Sequence, residues 1–290
     1  MAPRDIADPS TEAGHVAEWP RAQRPLPTRQ VHLDFHTSEH IPGIGAQFSK
    51  AQWQDALKSG HLNSINIFAK GHHGWSYYPT TIGTMHPHLD FDLLGAQIEA
   101  CHEIGVECPI YYTVGWSVHD AETHPDWCAR RKDGSFIWRG DPGAEPTDPY
   151  PPGNWQLLCP SGPYHEMMRA QVDEICQLYA VDGFWFDIFQ VQHGCYCDRC
   201  RASMAEKGID IDDEEAVVAH FAGVYKAHMA EMRATIAAHH PNATVFFNGT
   251  TAFGRGNQRY GTHVFNTHQD LEDLPTGWGG YDKFPLRSKY

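Results

Sequence analysis

The chain has 290 residues, 41% of them hydrophobic and 20% charged, with a formal net charge of −14 at pH 7. That length suits one large domain, and the composition excludes a disordered or fibrous chain. The acidic balance argues against nucleic acid or an anionic membrane surface as partner, and no apolar run approaches the ~20 residues of a membrane span. Aromatic residues reach 12% and histidines number 20. Both suit a sugar-binding cleft, where aromatic faces cover C–H faces and polar neighbours take hydroxyls.

Residues 1–30 are rich in Pro, Ala and charge and lack the apolar core of a secretory signal. They read as a flexible leader, which leaves 31–290 as the folded domain. There are eight cysteines. Without a secretory signal their expected state is reduced or metal-bound, and the expected compartment is the cytoplasm.

From residue 31 strand-like and helix-like segments alternate, which predicts an α/β fold with parallel strands. QVHLDFH (30–36) is the first strand. SKAQWQDALKSG (49–60) is a helix, with Ser49 as N-cap and Gly60 at its end. LNSINIFAK (62–70), the helical DFDLLGAQIEACHEIG (90–105) and the strand CPIYYTVGWS (108–117) follow. A long irregular stretch over roughly 118–153 reads as a cleft wall or lid, with NWQLLCP (154–160) as a short extra strand at its return. Then come the helix PYHEMMRAQVDEICQLYA (163–180), the strand VDGFWFDIF (181–189) and a helical region over about 211–240. ATVFFNG (243–249) and HVFNTHQDLEDL (263–274) are the last two strands. The predicted fold class is therefore a (β/α)8 TIM-type barrel. Six principal strands are recognised where closure needs eight, so the last βα units are expected to be missing. Open sheet edges would then call for a partner chain, and a homo-oligomer is the expectation.

Barrel chemistry gathers at the C-terminal ends of strands. Those ends supply Asp34 and His36, then Lys70, His72, His73 and Trp75, then Tyr112 and Trp116, then Asp187, Asn248, and finally His268, Asp270 and Glu272. Asp187 stands out, because it interrupts an apolar and aromatic strand, and a buried carboxylate without partners is costly. On a rigid strand walled by aromatics it suits the nucleophile of a glycosidase. Its bland alternative is a carboxylate that caps a helix or pairs with arginine. Between His268 and Glu272, extended backbone would bring His268, Asp270 and Glu272 to one face, which offers a second carboxyl. His36, His72, His73 and His268 are candidate hydroxyl ligands. Trp75, Tyr112 and Trp116 are candidate sugar-contacting aromatics, with ordinary packing as their alternative.

CYCDRC (195–200) carries three cysteines in C-x-C-x₂-C spacing. Cys195, Cys197 and Cys200 suit one tetrahedral zinc with a fourth ligand from elsewhere. Cys159 is the first choice for it, and Cys128 and His193 are the rivals. A site closed by four sulfurs has no open position, so its zinc would be structural.

Three resemblances refine these readings. AKGHHGWSYYPT (69–80) resembles the AKHHDGFxxWPS segment of the α-L-fucosidases, glycoside hydrolase family 29, and VDGFWFDIF resembles the strand carrying that family's nucleophile. The resemblance implies Asp187 as nucleophile. It departs at Gly71, which stands where the family has its first histidine, and at His73, which stands at its aspartate. The segment running to WGGY (278–281) resembles the fucosidase region that ends in WGY, which implies Glu272 as acid/base, with Asp270 second. LCPSGPY together with CYCDRC is similar to the four-cysteine zinc segments of the family 42 β-galactosidases, which implies Cys159, Cys195, Cys197 and Cys200 as ligands. From His32 to LEDLPTGWGGYDKFPL the chain resembles barrel proteins known as hypothetical glycosyl hydrolases.

The expected function is thus a retaining exo-glycosidase of α-L-fucosidase or β-galactosidase type acting on a carbohydrate. The alternatives are a catalytically inactive carbohydrate-binding barrel with a structural zinc, and a zinc hydrolase. A four-sulfur site denies the last its open metal position.

Overall fold

The structure is a computed structural model that describes residues 25–138, 155–189, 193–250 and 259–270. Five parallel strands lie side by side in chain order: β1 (Gln30–His32), β2 (Ser64–Lys70), β3 (Ile110–Thr113), β4 (Gly183–Asp187) and β5 (Thr244–Phe247). Helices α1 (Lys50–Ser59), α2 (Leu93–His102), α3 (Val118–Thr123), α4 (Gly162–Leu178), α5 (Asp198–Glu206) and α6 (Glu214–His239) lie between them in sequence. This is the parallel part of a TIM-like barrel. A complete eight-stranded barrel is not displayed by the described residues.

Local chemistry sets the elements. Ser49 caps α1 by accepting from Gln52 N, and Asp92 caps α2 by accepting from Gly95 N. β2 to β5 are buried along their whole length, as parallel strands covered on both faces must be. One face of each looks towards the helices, through Ile67, Ile110, Tyr112, Phe184, Phe186, Val245 and Phe247. The other carries Phe68, Tyr111, Trp185 and Phe246. Pairing register places these four side by side, one per strand. Phe68 stacks on Tyr111 at 4.0 Å, Tyr111 on Trp185 at 5.4 Å, and His32 closes over Trp185 at 4.8 Å. An aromatic layer therefore fills the interior one level below the C-terminal strand ends.

Two expectations about elements are corrected. The first strand ends at His32, so Asp34 and His36 sit in the loop after it. The segment read as a sixth strand begins instead with a 3₁₀ turn over Thr262–Phe265, set up by Gly261 in the left-handed region at φ 64°. The remainder of that segment, from 271, lies outside the described residues, as do 1–24 of the expected leader. NWQLLCP contributes isolated antiparallel bridges, pairing Gln156 with Trp138, Leu157 with Trp116 and Leu158 with Cys128. No helix of the described residues is long and apolar enough to cross a membrane.

The turn leaving β4 is strained. Ile188 adopts φ 67°, a conformation that β-branched side chains disfavour by about 1–3 kcal/mol. It is held there by the end of β3, where Val114 N donates to Asp187 O at 3.0 Å. Gly115 makes the close approach feasible, because a Cβ there would lie 2.3 Å from the Ile188 carbonyl oxygen. Replacing Gly115 by Ala is therefore expected to cost about 2 kcal/mol or more, as overpacking at a rigid contact does. Urea denaturation of the two proteins checks it, and equal midpoints would contradict the account.

Candidate active site

Asp187 is the last residue of β4 and is 7% exposed. Strand alternation puts it on the same face as Trp185, at the top of the aromatic layer. Its Oδ1 accepts from Ile188 N at 2.8 Å and from Asn248 Nδ2 at 2.9 Å. Its Oδ2 accepts a short hydrogen bond from the Tyr111 hydroxyl, and His72 Nε2 lies 3.6 Å away. Among the described residues no arginine holds it. Burial pushes the Asp187 carboxyl above the usual range, and the Tyr111, Asn248 and Ile188 donors offset part of that effect. The strained turn thus does one visible thing: it aims the Ile188 N–H back at the carboxylate.

His72 is fixed from its other nitrogen. Thr113 Oγ1 donates its only hydrogen to Trp116 O at 2.6 Å, so at 2.9 Å from His72 Nδ1 it must accept. Nδ1 therefore carries a proton, and Nε2 is the nitrogen turned to Asp187. The His36 ring lies flat on His72 at 3.9 Å, and His36 Nδ1 accepts from His72 N at 3.1 Å. Asp34 sits between His32 and His36, at 3.2 and 3.4 Å from their Nε2 atoms. Hydrogen bonds from His32 and then His36 hold its carboxyl well below the usual range. Gly71 has a packing explanation. A Cβ there would meet Phe35 O at 3.0 Å, the Tyr77 hydroxyl at 3.1 Å and His36 Nδ1 at 3.2 Å. A histidine at 71 would displace the His36–His72 stack.

Two tryptophans wall this cluster. The Trp116 ring meets His72 edge-on at 5.0 Å, and Trp155 lies 4.8 Å from His72, 5.1 Å from Trp116 and 5.7 Å from His73. Trp155 Nε1 is buried with no hydrogen-bond acceptor among the described residues. A buried donor without an acceptor is costly, so a ligand oxygen at this point would be favoured. Burial also pushes the His73 imidazole down, so its neutral form is favoured.

The expected site residues divide accordingly. Asp187, His36, His72, His73 and Trp116 are brought together. His268 stands beside β5, its Nδ1 2.9 Å from Thr267 Oγ1 and its ring 5.9 Å from Phe246. Trp75 has one face covered by His119 at 4.1 Å, and its Nε1 donates to Glu39 at 3.2 Å. Asp270 accepts from Gln30 Nε2 at 2.9 Å and from Trp185 Nε1 at 3.2 Å, which ties it to the aromatic layer below Asp187. Glu272 lies outside the described residues. Tyr112 is corrected: it is fully buried on the helix side, where its hydroxyl donates to Gln171 at 2.7 Å. Its neighbour Tyr111 faces inward instead, because the pairing of Thr113 with Asp187 fixes the parity of β3. Asn248, placed at a strand end by the sequence but given no role there, joins the site, and Tyr111, Trp155 and Thr113 are the groups that sequence reading did not assign to it. Adjacent tyrosines in IYYT carry no signal of which faces in. Trp155 lay in a segment read only as a return strand.

Cys159, Cys195, Cys197 and Cys200 are buried, with their sulfurs within 4.8 Å of one another and Cys159 3.7 Å from Cys200. None is in a disulfide. A tetrahedral ion with metal–sulfur bonds of about 2.3 Å needs sulfurs roughly 3.8 Å apart, so this group fits a metal ion. It links the entry to α4 with the loop between β4 and α5.

With this geometry in view, residues 49–188 match the family model described as hypothetical glycosyl hydrolase 6.

The chain is also similar in structure to alpha-L-fucosidase isoenzyme 2 from Paenibacillus thiaminolyticus, with 42% identity and a TM-score of 0.79. That match covers 90% of this chain and 38% of the fucosidase, so the chain spans well under half of its relative's length. Matches to the alpha-L-fucosidases of Bacteroides thetaiotaomicron (16% identity, TM-score 0.42) and Thermotoga maritima (17%, 0.41) each cover 69% of this chain and 34–35% of those proteins. No protein of curated function matches the chain.

The hydrogen bond from Tyr111 predicts a measurable shift. Tyr111→Phe removes a donor that stabilises the ionised carboxylate, so the Asp187 carboxyl should titrate higher in the variant. Carbon-13 NMR of labelled Asp187 reads this directly, and an unmoved titration would contradict the assignment.

Proposed function

We propose that the chain carries the nucleophile half of a retaining glycosidase site, of α-L-fucosidase type, with Asp187 attacking the anomeric carbon. The observation that carries the reading is the strand-end carboxylate itself. It is buried among aromatics, fixed by three donors and approached by no arginine among the described residues, in a segment that matches a glycosyl hydrolase family model and is similar to a protein named a fucosidase. In the first step an Asp187 oxygen bonds to the anomeric carbon as the bond to the leaving oxygen breaks, and a second carboxyl protonates that oxygen. In the second step water replaces Asp187, and the same carboxyl takes up the proton. Glu272 is the proposed acid/base, since Asp270 is engaged by Gln30 and Trp185. His36, His72 and His73 are proposed to take sugar hydroxyls, with Trp116 and Trp155 covering the ring.

Substituting Asp187 by Gly is the test. Hydrolysis of aryl α-L-fucosides, screened beside β-D-galactosides, should fall by about 10³-fold or more and return with azide, a nucleophile small enough for the vacated space. An inactive binding barrel would show no hydrolysis in the unaltered protein, and a variant that retains activity would remove Asp187 from the mechanism.

The pH dependence has a definite sign. Attack needs the carboxylate, and burial raises the Asp187 pKa, so kcat/KM should set in at a pH above the ordinary aspartate range. Tyr111→Phe should move that acid limb higher still. A limb at or below the ordinary range would exclude Asp187 as the group that titrates.

We further propose zinc as the ion of the four-cysteine group, in a structural role. Four sulfurs close its coordination, and it would tie the loop after β4 to the start of α4. Cys197→Ser should lose one equivalent of zinc and melt at lower temperature, while the remaining folded protein keeps its turnover. Loss of turnover at unchanged folding would instead put the metal in the chemistry.

A further inference from the structure

At the opposite end of the barrel from Asp187, three ligand-bearing side chains meet that the proposed reaction does not use. His102 ends α2, Cys108 lies two residues before β3, and Asp182 lies one residue before β4. Asp182 and Asp187 bracket the same strand, which separates them by about 16 Å at the usual rise per residue. His102 Nε2 is 2.8 Å from Asp182 Oδ2, and Cys108 Sγ is 3.6 Å from each of them. We propose that His102, Cys108 and Asp182 form a second metal site, for a late first-row divalent cation of the zinc class, at the N-terminal face of the barrel.

The geometry supports it in three ways. The three atoms form a triangle for which a point about 2 Å from the nitrogen and the oxygen and about 2.3 Å from the sulfur exists off its plane, the distances that zinc bonds to these atoms require. The donors are one imidazole nitrogen, one sulfur and one carboxylate oxygen. That set favours zinc, cobalt or nickel over magnesium or calcium, which take oxygen. Access and support are both present. The side chains of His102 and Asp182 are 34% and 25% exposed, so an ion can enter from solvent, while Cys108 is buried behind them. The Cys108 backbone N–H donates to Asp182 Oδ2 at 2.8 Å, which orients the carboxylate towards the other two donors, as supporting contacts around metal ligands do.

Three protein ligands leave one tetrahedral position for solvent, in contrast to the closed four-cysteine group. The elements joined are different too. This site clips the end of α2 to the starts of two neighbouring central strands, β3 and β4. Its ion would therefore brace the barrel floor, and its partial exposure predicts an exchangeable ion rather than one retained through purification.

The test measures bound metal in the whole chain. At saturating zinc the unaltered protein should bind one equivalent more than His102→Gln, and Cys197→Ser should keep that equivalent. With cobalt, a thiolate-to-metal absorption should persist in Cys197→Ser and disappear when Cys108→Ser is added. Zinc should raise the melting temperature of Cys197→Ser but not of the Cys197→Ser, His102→Gln double variant. His102 is partly exposed at a helix end, so its replacement is expected to leave the fold intact, and circular dichroism verifies that. Equal zinc content in the unaltered protein and His102→Gln, or zinc found at the four-cysteine group only, would overturn the proposal.

Discussion

The parallel pairing of β3 with β4, with Thr113 opposite Asp187, is the constraint on which the site depends. A strand has two faces, so a slip of one residue would turn every inward side chain outward. With this register Tyr111, Trp185 and Asp187 share the interior, and Tyr112, Phe184 and Phe186 go to the helices. Thr113 then stands beside Asp187 and fixes the proton on His72, while Tyr111 reaches the carboxylate from the level below. One pairing decision places a buried carboxylate, its hydrogen-bond donor and its neighbouring imidazole together.

Among the described residues the buried carboxylate faces no arginine or lysine, only the His72 imidazole, an arrangement that folding alone would not favour. Its three hydrogen-bond donors reduce that cost without cancelling it, since the carboxyl remains raised. A β-branched residue in a left-handed conformation adds strain directly after it. Strain and a perturbed carboxylate at one strand end, near a buried indole N–H with no acceptor among the described residues, mark a place organised around something other than stability. The floor of the barrel has the opposite character, with hydrogen-bonded polar groups holding strand starts together.

The two candidate metal groups also differ in how they are built. Cys195, Cys197 and Cys200 are neighbours in sequence, so local chain geometry assembles most of that site, and Cys159 is delivered by the start of α4. His102 at the end of α2 and Cys108 before β3 flank one loop, and Asp182 before β4 reaches them only because β3 and β4 are neighbours in the sheet. The first group is readable from spacing. In the second, His102 and Cys108 are near in sequence, but nothing along the chain announces Asp182 as their partner.

By itself the sequence determined the order of the five strands and of α1, α2, α4 and α6, though not the short α3 and α5, together with the caps at Ser49 and Gly60, the apolar strand that carries Asp187, and the C-x-C-x₂-C group, because each follows from side-chain periodicity or from neighbours along the chain. It misread the end of β1 and the segment after Gly261, where short extended-looking runs compete with turns and local propensity is weak. Only the tertiary structure decided that Tyr111 and not Tyr112 faces the carboxylate, that Trp155 closes over the histidines, that Gly71 yields its space to His36, and that Asp270 is engaged beneath the site. Each of these rests on which face of one strand meets which face of the next, and the pattern along a single strand does not contain its register against another.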